Sequence, residues 1–211
     1  MSRAGTGCSI PVTFVPLAGS PLEAFLVATG VVALGEIGNK TQLLSLLLAT
    51  KFRRSVPIIA GIFVATVVNH AFAGAIGRRV AAALGTGVLR WVVGLSFLTM
   101  TIWTFVPDQF DNASAGTTQR LGVFGTTVLT FFFAKMGDKT QFATIALAAR
   151  YQNLPLVVAG TTLGMLLVDV PAVLLGETLA RKVPMRLVQG AAALIFALIG
   201  VAALLRIEPR L

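Results

Sequence analysis

Six apolar runs, near 22–49, 57–77, 88–106, 121–149, 155–176 and 187–205, occupy most of this 211-residue chain and leave only short connections between them. A helix needs roughly 20 apolar residues to cross a hydrocarbon core ~30 Å thick. In lipid, every backbone polar group has to be satisfied by the protein, and a helix does this within one segment. The expected fold is therefore an all-α membrane protein with six transmembrane helices. Charged residues make up only 12% of the chain, against about 25% in soluble domains, which is too few to clothe a water-facing surface. The net charge of +9 would suggest nucleic acid in a soluble chain. Here the cations sit in short loops, as at Lys51, Arg53 and Arg54 or at Arg181, Lys182 and Arg186. Membrane insertion and anionic headgroups favour that placement, so the expected partner is the lipid bilayer and no nucleic acid. Basic residues divide evenly between the two sides, so charge sets no orientation. Cys8 is the single cysteine, which excludes an intrachain disulfide and a thiolate metal cluster. Residues 1–20, broken by Pro11 and Pro16, read as a loose tail.

The apolar runs form two sets. A shift of 99 positions places Gly38 on Gly137, Lys40-Thr41-Gln42 on Lys139-Thr140-Gln141, Gly61 on Gly160 and Gly77 on Gly176 without a gap. The polar stretch 108–120 links a first repeat, 21–107, to a second, 121–211. Three spans per repeat is an odd number, so the second repeat enters the membrane with opposite orientation. The expected architecture is two inverted three-helix repeats, which locates a binding site near the midplane where the repeats meet.

The first and fourth runs are interrupted there. One carries Glu36-Ile37-Gly38-Asn39-Lys40-Thr41-Gln42, the other Lys135-Met136-Gly137-Asp138-Lys139-Thr140-Gln141. Helical spacing puts Glu36, Asn39 and Lys40 on one face, and Lys135, Asp138 and Lys139 likewise, with a glycine that permits local unwinding. Charges at membrane depth are costly and face the protein interior or a wet cavity. The alternative, helix-end residues with Lys40 and Lys139 reaching for headgroups, stays open for those two lysines. It suits Glu36 and Asp138 poorly, because apolar sequence continues on both sides.

The paired clusters resemble the duplicated Glu-x-Gly-Asp-Lys-Thr motifs of a family of small six-helix cation transporters. That family includes bacterial manganese exporters, a chloroplast manganese transporter and a Golgi manganese/calcium–proton exchanger. The resemblance runs from Pro21 to Arg206 and implies transport of Mn2+, or secondly Ca2+, through acidic and polar groups on the first and fourth spans. Oxygen ligands suit both ions. The family pattern has an acid at each position of Glu36, Asn39, Lys135 and Asp138; this chain has an amide at Asn39 and a cation at Lys135. Counting Glu36, Asp138 and Asp169 against Lys135 leaves a local charge of −2. Fewer anionic ligands weaken the hold on a divalent ion, whose desolvation has to be offset.

The expected function is a secondary transporter exchanging a divalent cation for protons, with no cofactor and no enzyme activity, in a bacterial inner membrane. Glu36 and Asp138 are the expected anionic ligands; Asn39, Gln42, Gln141, Thr41 and Thr140 supply neutral oxygens. Lys135 is expected to pair with Asp138 or Asp169. His70 falls opposite Asp169 under the 99-residue shift, either as a helix contact or as a group that titrates during transport. Pro171 is expected to kink the fifth span near Asp169, and Gly160 and Gly164 to serve close helix packing. Two rival functions stand beside this one. A diverged relative would use Lys135 as a tethered cation in place of a divalent ion, and a membrane enzyme acting on lipid phosphates would need acidic or histidine clusters that the chain lacks.

Overall fold

A computed structural model describes residues 20–84, 86–105, 121–151, 153–175 and 185–205, and every element in them is helical. The helices are α1 (Pro21–Glu36), α2 (Lys40–Phe52), α3 (Ser55–Ala83), α4 (Thr86–Trp103), α5 (Gly122–Lys135), α6 (Lys139–Tyr151), α7 (Leu154–Leu175) and α8 (Met185–Leu205). Local chemistry accounts for their ends. Ser20 caps α1 by accepting from the Glu23 backbone N–H at 3.1 Å, and Pro21 follows in the first turn, where its missing N–H costs nothing. Gly38 and Gly137 adopt φ of 80° and 76°, a left-handed backbone that glycine tolerates, and there the first and fourth runs stop and restart. Each interrupted run is thus two helices, and α1 and α2 meet at a bend of 72°.

By length and composition, α3 and α7 are each long enough to cross a membrane, and the bent pair α1 and α2 makes a third crossing if counted as one span. The apolar helices over Gly87–Trp103, Gly122–Lys135 and Gln189–Leu205 are shorter. Pro171 sits inside α7, which continues through it to Leu175.

Polarity is distributed inside out. Glu36, Asn39, His70, Lys135, Asp138 and Asp169 are buried, while Phe72, Ile102, Leu167 and Leu198 are more than half exposed. A water-soluble core has the reverse arrangement, whereas lipid is as apolar a solvent as leucine. One apolar cluster joins Ala28, Phe97, Leu147 and Phe196, and a second joins Val32, Ile58, Ile62, Phe131 and Met165. α1 packs against α7, and α3 against α5, α6 and α7. Two glycines at matching places in the two halves allow close approaches. A Cβ on Gly160 would lie 2.5 Å from the Phe25 carbonyl oxygen, and one on Gly61 3.1 Å from that of Phe124 and 2.7 Å from Thr127 Cβ. These contacts let α1 and α7, and α3 and α5, meet backbone to backbone, which puts the ends of α1 and α5 side by side.

Candidate cation site at the two helix breaks

Glu36 is the last residue of α1 and Lys135 the last of α5. Asn39 and Asp138 each precede the helix that restarts after the break. The two breaks bring all four together. Lys135 Nζ donates to Glu36 Oε2 at 2.5 Å, to Asp138 Oδ2 at 2.8 Å and to Thr140 Oγ1 at 3.0 Å, which uses its three N–H groups. Lys135 is 2% exposed, Glu36 0% and Asp138 3%, so these pairs are out of solvent and their full geometry matters. The expected partner Asp138 is present; the other partner is Glu36 rather than Asp169.

Asn39 completes the cluster as a donor. Its Nδ2 reaches Asp138 Oδ2 at 2.9 Å and Glu36 Oε2 at 3.3 Å, while its Oδ1 accepts from the Lys40 N–H at 2.8 Å. An amide between two carboxylates presents its nitrogen to them, so in this arrangement the Asn39 oxygen faces the Lys40 backbone. Thr140 Oγ1 donates to Asp138 Oδ2 at 2.9 Å, and the Thr41 hydroxyl donates to Glu36 Oε1. Gln42 and Gln141 are likewise committed: their side-chain oxygens accept from the Gly38 and Gly137 N–H groups at 3.0 and 2.8 Å. These glutamines hold the breaks, where the interrupted helices leave those N–H groups without helical acceptors. Lys40 is half-buried and Lys139 buried, each at the start of a restarted helix.

Around this core lie residues that the motif alone did not assign. Ser45 Oγ stands 2.9 Å from Asp169 Oδ1 and 3.0 Å from the Thr41 carbonyl, linking α2 to α7. Asn69 Oδ1 accepts from Gln141 Nε2 at 3.0 Å. The available signal was helical spacing, since Ser45 is one turn beyond Thr41. His70 is fully buried, and neither ring nitrogen has a hydrogen-bond partner among the described residues. Among those residues, no group of three or more His, Cys, Asp and Glu side chains is arranged to hold a metal ion. The cation between Glu36 and Asp138 belongs to the protein itself.

Comparison with known proteins agrees with this arrangement of paired motifs. A family model described as "Divalent cation/proton antiporter GDT1" matches residues 24–112 and again 123–209, so its domain is duplicated in the chain. A Vibrio cholerae protein named "Putative manganese exporter" is 46% identical over 182 residues, covering 86% of this chain and 90% of its own length. No solved structure matches. A domain matched twice along the chain, together with an identity of this extent, leaves one conclusion: the chain belongs to the GDT1 family of divalent cation/proton antiporters, which are transporters of cations and protons and not enzymes.

Proposed function

We propose that this protein exports Mn2+ across a bacterial inner membrane in exchange for protons, with Ca2+ as the second candidate ion, and that Glu36 and Asp138 are the carboxylates that alternately hold metal and proton. The observation that carries the reading is the meeting of these two acids, one from each motif, at two buried helix breaks. Interrupted helices at the interface of repeats are where transporters bind ions. A carboxylate that exchanges metal for proton couples the two flows without a nucleotide. The name of the Vibrio relative supports manganese as the ion.

The same reading takes the chain as six spans in two inverted repeats, 21–107 and 121–211. Contacts between residues 99 positions apart support it: Glu36 with Lys135, Asn39 with Asp138, and Thr66 with Met165. Residues related by a two-fold rotation touch one another only near its axis. The glycine contacts repeat in the same way, Gly61 on Phe124 and Gly160 on Phe25.

A second reading, a diverged member with weak divalent transport, is favoured by Lys135, whose ammonium fills the space between the two acids. Proteoliposomes loaded with a Mn2+-sensitive dye decide between them. The first reading expects Mn2+ flux that a pH gradient drives and that Glu36→Gln and Asp138→Asn each abolish, with both variants still folded. Normal flux in either variant would remove that residue from the ion site, and no flux in the native protein would favour the second reading.

A further inference from the structure

Asp169 is a fully buried carboxylate on α7 that the cluster at the breaks leaves unused. Its Oδ1 meets Ser45, whereas its Oδ2 has no hydrogen-bond partner among the described residues. Leaving such an oxygen unpaired is costly, and buried acceptors are rarely left so. Asp169 is joined to the cluster through Ser45, whose Oγ also lies 3.0 Å from the Thr41 carbonyl, and Thr41 donates to Glu36. Lys135, meanwhile, occupies a position from which a cation touches both Glu36 and Asp138. A divalent ion held by those same carboxylates would stand against an ammonium in a low-dielectric interior, where like charges repel strongly. Ion and ammonium therefore exclude each other. The ammonium rides on a flexible four-carbon stem and has to go to an anion.

We infer that Lys135 is a tethered competitor of the transported divalent cation, and that Asp169 is the positioning residue that receives its ammonium when the cation occupies Glu36 and Asp138. The inference rests on the reading of those two acids as the divalent site. In the state seen here, the ammonium lies between the acids and Asp169 Oδ2 is open. In the loaded state, Lys135 pairs with Asp169, and the divalent ion takes the vacated place. With all three carboxylates ionised in the loaded state, they and the ammonium carry a formal −2, which one divalent ion neutralises. Ser45 Oγ, 2.9 Å from Oδ1, meets Asp169 on that side and leaves its other oxygen available.

The test is titration calorimetry with MnCl2 on the purified full chain in detergent, using the native protein, Asp169→Asn, Lys135→Gln and the double variant. Glutamine keeps a donor for the carboxylates and removes the charge. Lys135→Gln is expected to bind Mn2+ about tenfold more tightly than the native protein, and Asp169→Asn about tenfold more weakly, within the usual size of coupling between two binding events. In the Lys135→Gln background, Asp169→Asn is expected to change the dissociation constant less than about twofold, because no ammonium needs a destination. An equal loss in both backgrounds would make Asp169 a direct ligand or a scaffold and overturn the inference, as would weaker binding by Lys135→Gln. If Lys135→Gln does not fold, Lys135→Met carries the same comparison. If the folded proteins bind neither Mn2+ nor Ca2+, the divalent reading of Glu36 and Asp138 fails and takes the inference with it. If they bind Mn2+ but the two substitutions act additively, the inference alone fails.

Discussion

Replacing Lys135 by methionine keeps most of the side chain's length, one atom short, and removes the charge that two buried acids share. At an effective dielectric of about 20, a unit charge pair at 2.8 Å is worth roughly 6 kcal/mol, and Lys135 makes one such pair with Asp138 and a closer one with Glu36. Desolvating three charges offsets most of that sum, so the pairs add little net stability while intact. Removing one partner is different, because the other charges stay buried and uncompensated, and the loss is about 3–5 kcal/mol. The Asn39 amide and the Thr41 and Thr140 hydroxyls still donate to the acids, so the lower end of that range is expected. A divalent ion that takes the vacated position returns part of it, ~2.7 kcal/mol at a concentration 100 times its dissociation constant. Thermal unfolding in detergent, followed by the fluorescence of Trp91 and Trp103, reads both effects. Lys135→Met is expected to melt well below the native protein without metal and to recover on addition of Mn2+, while the native protein responds weakly. Adding Glu36→Gln to Lys135→Met is expected to restore stability without metal, since one stranded carboxylate is gone. An unchanged melting temperature for Lys135→Met, or an equal Mn2+ shift in the native protein and the variant, would refute the reasoning.

Two further outcomes follow from the same geometry. Gly160→Ala drives a Cβ to 2.5 Å from the Phe25 carbonyl oxygen, so α1 has to move off α7 at about 1–3 kcal/mol. Gly137→Ala meets nothing within 4 Å and strains only a backbone at φ 76°, at about 1–2 kcal/mol; melting temperature should fall in both, with Mn2+ flux in Gly137→Ala falling more than its stability loss explains. Asn39→Asp combined with Lys135→Glu restores an acid at each of the four motif positions, and calorimetry should find tighter Mn2+ binding than in the native protein; no gain would mean that the missing acids do not limit affinity.

The apolar runs and the 99-residue offset determined that the chain is helical and duplicated, because hydrophobic length and internal repetition are properties of the linear sequence. The two polar clusters, each with a glycine, also marked where the first and fourth runs are interrupted. Which groups pair across the breaks was decided only in three dimensions. Helical spacing put Asp138 within reach of Lys135, and the fifth span held the other expected partner, Asp169. The backbone-to-backbone approach of α1 to α7 and of α3 to α5 brought Glu36 to the ammonium and left Asp169 with Ser45. The same holds for the amides. Asn39, Gln42 and Gln141 each carry an amide oxygen, and the breaks expose N–H groups at Lys40, Gly38 and Gly137 from which those oxygens accept. A sequence states what each side chain can offer; competition among neighbours at hydrogen-bonding distance decides to whom it is given, and those neighbours come from helices far apart in the chain.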